Sequence, residues 1–292
     1  AKNESVRSYE GCKNQVKKYI KTDVPLNTIN YEWLNYFILF KKSQGTGMPG
    51  INTYLRVLRA LYKEAQRRTS LNINRENPFT GLIKNVAAAE VVDFDITDFK
   101  KLQNYTPKKF TSEKSAKNIK RKIAICLFQF AIGGHDLVDI ANLKWKDIQK
   151  GRVKFKRYKN RNKPDGGLQI NNLLVAEALK IIKNFGTLEN ERVFGFIPAP
   201  DAENYIDYRN NFNRSLREIS KDLQFESILK SKSTRYIFRS LGGELLVNDL
   251  VIMQLQGHKP QGVTFNYQKN LPTKIIDEYI VKIVNEANLM VV

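Results

Sequence analysis

The sequence is poor in the residues that build metal sites and covalent cross-links. Its 292 residues include two cysteines, Cys12 and Cys126, which lie far apart in the chain, and two histidines. This usage excludes a disulfide framework, a cysteine zinc site and a histidine-rich metal site, and it favours a reducing, intracellular compartment. No apolar run approaches the ~20 residues of a membrane span and no charged-then-apolar leader opens the sequence, so we expect no membrane association.

Acidic residues are few beside basic ones. The chain has 49 Lys and Arg against 29 Asp and Glu, a net charge of +20. Because 42% of the residues are apolar and 11% aromatic, the chain can bury a core, and its charge indicates an anionic partner rather than disorder. Residues 1–90 carry 15 basic and 7 acidic residues, and residues 91–292 carry 34 and 22, so the basic surface is predicted to span both halves. Interleaved Tyr, Phe and Asn favour nucleic acid over a membrane surface, and a lysine-rich solvated surface is the ordinary alternative.

Apolar residues recur at helical spacing through the first part of the chain. The pattern predicts three helices before the break at Asn77-Pro78, and residues 81–95 read as a linker. We therefore predict a small all-α domain over residues 1–88. Its third helix, INTYLRVLRALYKEAQRR, carries a basic face with Arg56 and Arg59, which either is solvated or follows a phosphate backbone.

The remainder, residues 89–292, is also predicted to be mostly helical. The one clear β pattern is GRVKFKRYKNRNKPDGGLQI, in which Val153 and Phe155 alternate with cations and a turn falls at 164–167. The predicted fold class is therefore mostly α with one small antiparallel β-sheet. Further helices are expected near 97, over 113–132 and 136–143, and over 173–184, 203–223, 234–246, 248–255 and 273–288.

Three short motifs follow one another near the C-terminus. KSTRYIFRS contains Lys232 and Arg235, LQGHKP contains Gly257-His258, and Tyr267 lies nine residues after His258. Taken singly, these are a surface cation, a helix cap and one tyrosine among 13. Their common order and spacing indicate a single site.

Together the motifs resemble the tyrosine recombinase (phage integrase) family, of the mobile-element integrase type. That family carries His-x-x-Arg-His on its catalytic helix, then a Leu-Gly-His turn, then a nucleophilic Tyr nine residues on. GGHDLVDIANLKWKDI resembles its Thr-Gly-Leu-Arg-x-x-Glu-Leu-x-x-Leu-x-Trp-x-Asp-Ile segment, and RYKN points to Lys159 as its hairpin lysine. The resemblance covers nearly the whole chain and implies a helical core-binding (SAM-like) domain followed by a catalytic domain.

The resemblance implies cleavage and rejoining of double-stranded DNA without a metal or other cofactor. Tyr267 would attack the scissile phosphorus and form a 3′-phosphotyrosine. Arg235 would bind two phosphate oxygens, His258 would donate a hydrogen bond to the phosphate, Lys232 would add a cation, and Lys159 would protonate the leaving 5′-oxygen. Lys154, Lys156, Arg161 or Lys163 are alternatives for the last role. Phosphate contacts are expected from Lys154, Lys156, Arg157, Arg161, Lys163, Arg56, Arg59 and Arg239.

Two positions depart from the family pattern. Lys232 replaces the usual His, as in the related type IB topoisomerases. Asp136, beside His135, occupies the slot of the family's first Arg, where a carboxylate would repel phosphate. Arg239, one turn after Arg235, is a candidate to replace that cation, and reduced activity is the alternative.

Three functions are therefore carried forward. The first is a site-specific recombinase or integrase, whose two domains would clamp DNA and which would act as a homotetramer and exist as a monomer without DNA. The second is a catalytically weakened DNA-binding relative, and the third is a type IB topoisomerase-like enzyme. A bacterial, cytoplasmic, nucleoid-associated protein is implied. The helix after Tyr267 is expected to dock either on a neighbouring protomer or on its own domain.

Overall fold

The computed structural model describes residues 4–71, 73–74, 76–86, 94–107, 112–162, 167–259, 270–287 and 289. The chain separates into two compact units, Ala1–Glu90 and Val91–Val292, each with its own core. The predicted fold class, mostly α with a small antiparallel sheet, is confirmed. Within the described residues, no helix combines the length and apolarity needed to cross a bilayer.

The N-terminal unit is helical. It contains α1 (Glu4–Tyr19), α2 (Tyr31–Ser43) and α3 (Met48–Arg67). The Asn30 side chain caps α2 by accepting a hydrogen bond from the Trp33 backbone N–H at 2.8 Å, a role for which asparagine is among the preferred residues. The apolar faces of α2 and α3 meet in a core that is closed by the segment after α3. That core comprises Leu34, Ile38, Ile51, Leu55, Tyr62, Phe79 and Leu82.

The C-terminal unit is built around one long helix, α5 (Glu113–Ala131). Every residue from 123 to 131 is buried, which is the pattern of a helix surrounded by other elements. The buried Gln129 near its end donates from Nε2 to the backbone oxygens of His135, at 2.7 Å, and Ser231, at 2.9 Å. The other helices are α4 (Ile96–Gln103), α6 (Leu137–Asn142), α7 (Ala176–Phe185), α8 (Tyr205–Asp222), α9 (Ser233–Glu244), α10 (Asp249–Leu255) and α11 (Thr273–Glu286).

Three short strands form the antiparallel sheet in the order β1 (Ile148–Gln149), β2 (Arg152–Lys156) and β3 (Gln169–Leu173). Val153 and Phe155 are buried while the cations that alternate with them are more exposed, as the alternation predicts. The family resemblance places Lys159 on a β-turn, but here it lies in a short 3₁₀ turn, Tyr158–Asn160. The turn predicted at 164–167 lies outside the described residues up to Gly167.

Helix α11 packs on its own unit. Ile276, Ile280, Ile283 and Val284 are buried, and the helix contacts α5, α9, α10 and β3. Arg152 of β2 anchors it through paired hydrogen bonds of 2.7 and 2.8 Å to the two carboxylate oxygens of Asp277. The helix therefore packs on its own domain within the single chain.

Candidate active site

A cationic pocket in the C-terminal unit gathers residues from four separate segments. The segments are the start of α6, the turn after β2, the first turns of α9, and α10 with the turn that follows it. Four of the five predicted catalytic residues line this one pocket. The lining residues are Asp136, Arg157, Lys159, Lys232, Arg235, Tyr236, Arg239, Asp249, Met253, Gln256 and His258.

Gly257 brings His258 into the pocket. Its φ is +65°, a value that glycine adopts without strain, and it ends α10 with a sharp turn. A Cβ there would also lie 2.9 Å from the Ile170 side chain of β3. Glycine is therefore favoured at position 257 both by backbone conformation and by close packing against the sheet.

A second buried amide fixes the elements around that turn. Asn172 of β3 donates from Nδ2 to the backbone oxygens of Ile132, at 2.8 Å, and Leu255, at 2.9 Å. It thereby joins the end of α5 to the end of α10, while Gln129 joins the loop before α6 to the segment before α9. The elements that form the pocket are therefore joined by hydrogen bonds that do not involve its cations.

Arg235 is rigidly held at the base of the pocket. It is 6% exposed, and it donates from Nη1 to the Gly134 oxygen at 3.1 Å and from Nη2 to the Gln256 oxygen at 3.0 Å. Gln256 Nε2 in turn donates to the Arg235 oxygen at 3.0 Å. Burial, and then the nearby Arg157, lower the pKa of Arg235 to about 10, so it stays charged at neutral pH.

His258 is a neutral imidazole at neutral pH. Burial, followed by the charges of Arg235, Arg157 and Lys159, lowers its pKa to about 4. Its Nε2 lies 2.5 Å from Arg235 Nη2. Because a guanidinium only donates, Nε2 accepts this hydrogen bond and the ring hydrogen resides on Nδ1. His258 can therefore donate to a phosphate from Nδ1.

Arg157 lies where sequence reasoning did not place it. The sequence placed Arg157 among the surface cations of the hairpin, but its side chain is only 1% exposed. Its Nη2 donates to Asp136 Oδ2, and its Nε lies 3.6 Å from Asp139 Oδ2. Arg239, the cation suggested from the sequence as a replacement for the missing Arg, is half exposed and paired with Asp249 at 2.5 Å.

Lys159 and Lys232 lie at the exposed rim of the same pocket. Partial burial, then the charges of Arg157 and Arg235, lower the pKa of Lys159. Asp139 fixes the turn that carries Lys159, because its Oδ1 accepts from the Tyr158 backbone N–H at 2.7 Å. The Lys232 ammonium lies 5.5 Å from the centre of the Tyr236 ring.

His135 is part of the packing under the hairpin. It is fully buried, with its ring edge-to-face against Phe155 at 5.0 Å. Burial, then Arg235 and Arg157, hold its pKa well below the usual range. His135 is therefore a neutral core residue.

The remaining predicted residues are distributed as follows. Tyr267 and Lys163 lie outside the described residues. Lys154 is partly buried and Lys156 exposed on the outer face of β2, and exposed Arg161 lies over the Tyr158 ring at 3.9 Å. Arg56 is exposed and Arg59 partly buried on α3 of the N-terminal unit.

Comparison with known proteins agrees with the sequence resemblance in the N-terminal domain and in the fold. Residues 1–82 match the family of phage integrase SAM-like domains. No curated protein matches the chain significantly in sequence.

Three solved structures are similar over most of their length. A lambda integrase tetramer bound to a Holliday junction has a TM-score of 0.64 at 16% identity, covering 92% of this chain and 73% of that one. The Tn1549 transposon integrase in complex with transposon right end DNA has a TM-score of 0.63 at 13% identity, covering 94% and 92%. XerH site-specific recombinase bound to difH substrate has a TM-score of 0.60 at 13% identity, covering 93% and 76%. The chain thus has the integrase fold, and the predicted resemblance to tyrosine recombinases is confirmed in its N-terminal domain and its fold.

Proposed function

We propose that this chain, with its integrase fold and phage integrase SAM-like domain, is a site-specific DNA recombinase or integrase that cleaves and rejoins DNA through a 3′-phosphotyrosine. The observation that carries this proposal is the convergence of Arg235, His258, Lys159 and Lys232 on one pocket. These residues come from segments up to 99 positions apart in the sequence. A basic surface that is only solvated would not require these side chains to converge on one pocket.

The proposed reaction is an in-line phosphoryl transfer. The Tyr267 oxygen bonds to the scissile phosphorus as the bond from phosphorus to the 5′-oxygen breaks. The phenolic proton passes to solvent, and the leaving oxygen takes a proton from Lys159 to give a 5′-hydroxyl. The covalent phosphotyrosine retains the energy of the broken bond, so the reverse attack by a 5′-hydroxyl rejoins the strand. Tyr267 enters this scheme through its spacing from His258.

The electrostatics of the pocket support an anionic ligand. Burial, and then mutual repulsion among its cations, lower the pKa values of Arg235, His258 and Lys159. A phosphate oxygen between them would relieve that repulsion, most of all in a transition state with added negative charge. The lowered pKa of Lys159 also makes it a better acid than an ordinary lysine toward the leaving oxygen.

Both units are proposed to bind the DNA backbone. Arg56 and Arg59 of the N-terminal unit and Lys154, Lys156, Arg161, Lys163 and Arg239 of the C-terminal unit would supply phosphate contacts. Binding should therefore weaken steeply as salt is raised. We further propose that the chain assembles as a homotetramer on DNA within the bacterial cytoplasm.

The test is covalent trapping on a nicked duplex, using random and candidate target sequences. The nick lies close to the cleavage site, so that the short 5′-hydroxyl fragment diffuses away and the adduct accumulates. The wild-type chain should form an adduct that resists denaturation, and Tyr267→Phe should bind equally well without forming it. An adduct that persists in Tyr267→Phe contradicts the proposed nucleophile.

Two other outcomes identify the alternatives. Tight binding by the wild-type chain with no adduct indicates the weakened DNA-binding relative, which Asp136 in the first Arg slot favours. Relaxation of supercoiled DNA without strand exchange indicates the topoisomerase-like enzyme, which Lys232 favours.

A further inference from the structure

We propose that Arg157 is the second guanidinium that binds the scissile phosphate, and that Asp136 is the residue that positions it. The proposal rests on the proposed recombinase function and assigns to Arg157 the charge that the sequence lacks at the start of α6. Arg157 follows β2 directly, so this cation would come from the hairpin that also carries Lys159.

The geometry places Arg157 inside the pocket and leaves part of its guanidinium unused. Arg157 lines the same cavity as Arg235 and His258. Its stem runs close to Gly257, where an added Cβ would lie 3.3 Å from Arg157 Cδ. Asp136 binds Nη2, yet Nε and Nη1 have no hydrogen-bond partner among the described residues.

A buried donor without a partner is costly, and a guanidinium is shaped for two oxygens of one anion. An Nη1 that finds no partner in the described part of the chain, on a 1%-exposed arginine in a pocket wall, therefore points to an anionic ligand.

The same contacts explain why an aspartate is tolerable at position 136. A buried cation needs a compensating charge, and the carboxylates of Asp136 and Asp139 both lie within ion-pair distance of the Arg157 guanidinium. Asp136 holds Nη2, while Nη1 has no hydrogen-bond partner among the described residues. The positive charge still acts on the pocket, because Arg157 contributes to the lowered pKa values of Arg235, Lys159 and His258. The Asp136 carboxylate thus serves to orient an arginine rather than to face the phosphate itself.

The first test compares Arg157→Ala and Arg157→Lys with Arg152→Ala. Arg152 is a matched control because it lies on the same hairpin, is 15% exposed and pairs with Asp277 outside the pocket. Single-turnover cleavage of the nicked duplex should fall 100-fold or more in Arg157→Ala and stay within a few-fold of wild type in Arg152→Ala. DNA affinity and melting temperature are measured for each variant. Cleavage by Arg157→Ala at the wild-type rate overturns the proposal.

A modified substrate separates phosphate contact from a structural role. A methylphosphonate at the scissile position removes the charge of one non-bridging oxygen, so a missing cation matters less there. The ratio of methylphosphonate to phosphate cleavage rates should rise at least 10-fold in Arg157→Ala relative to wild type and Arg152→Ala. This ratio is independent of the fraction of protein that folds correctly. An unchanged ratio would mean that Arg157 only stabilises the structure of the pocket, and it would overturn the proposal.

The role of Asp136 is tested by the sign of its effect. If Asp136 positions Arg157, Asp136→Asn should slow cleavage of the phosphate substrate about 10-fold and add no further loss in an Arg157→Ala background. Faster cleavage by Asp136→Asn would mean that the carboxylate only repels the phosphate, and losses that add would mean independent roles; either result overturns the assignment. If the wild-type chain forms no adduct with any duplex, the recombinase function itself fails, an outcome distinct from normal cleavage by Arg157→Ala.

Discussion

Replacing Arg235 with alanine is expected to separate catalysis from binding, at a measurable cost in stability. The guanidinium makes two hydrogen bonds to the backbone oxygens of Gly134 and Gln256. Leaving each buried oxygen unpaired costs about 1–3 kcal/mol, and removal of repulsion from Arg157 offsets part of this cost. We expect a net loss of about 2 kcal/mol, or roughly 4–8 °C in melting temperature for a unit of this size.

The catalytic loss should be larger than the loss of stability. Removing one preorganised donor to a developing anion typically costs about 3–4 kcal/mol, or a factor of ~10²–10³ in rate. DNA affinity should change little, because a residue 6% exposed contributes little to the extended backbone contacts. Single-turnover trapping on the nicked duplex, a binding titration and thermal unfolding measure the three quantities on the same protein.

Arg192 provides the control for this variant. Its Nη1 also donates to two backbone oxygens, those of Ala141 at 3.2 Å and of Ile197, but it does not line the pocket. Arg192→Ala should lose comparable stability and keep its cleavage rate at a temperature where both variants are folded. Full cleavage by Arg235→Ala would refute the assignment of the motif, and an equal cleavage loss in Arg192→Ala would show that instability explains both.

Three further predictions concern individual pocket residues. Because the pKa of His258 is about 4 in the folded chain and ~6.5 when unfolded, the unfolded chain binds more protons between these values. Stability should therefore fall as pH drops below ~6.5, by about 1 kcal/mol at pH 5 from this half-buried ring; denaturant unfolding should show a shallower decline in His258→Asn. Lys159→Ala should slow cleavage ~10²-fold. A substrate with sulfur in place of the 5′-bridging oxygen should restore the rate of this variant, because the thiolate leaves without a proton. A variant that stays slow on this substrate would show that Lys159 is not the acid. Gly257→Ala should cost about 1–3 kcal/mol, because it combines a φ of +65° with a contact of 2.9 Å to Ile170; unchanged unfolding would contradict the close packing inferred for this turn.

The sequence was informative where the pattern is local. Helical spacing predicted the helices, strict alternation around Val153 and Phe155 predicted the faces of β2, and the Gly257-His258 pair predicted the turn into the pocket. Each of these features depends on neighbours within a few residues.

The position of Arg157 could not be read from such a pattern. It lies in a run of seven basic residues between 151 and 163 that look equivalent in sequence. Which of them turns inward depends on where β2 ends and on the carboxylates of α6, which come from a different element. The available indication was Asp136 and Asp139, three residues apart in a segment otherwise expected to meet phosphate. Two carboxylates there imply a buried cation nearby.

The two buried amides also affect how mutational data on this protein should be read. The hydrogen bonds of Gln129 and Asn172 described above do not reach a pocket cation. Asn172 joins the end of α5 to the end of α10, and Gln129 joins the loop before α6 to the segment before α9. A genetic screen that scores only recombination would rank substitutions at these positions beside those at Arg235. Such a map would outline the framework of the pocket as well as its chemistry. A parallel measurement of protein abundance in the same cells would separate substitutions that destabilise the protein from those that impair catalysis.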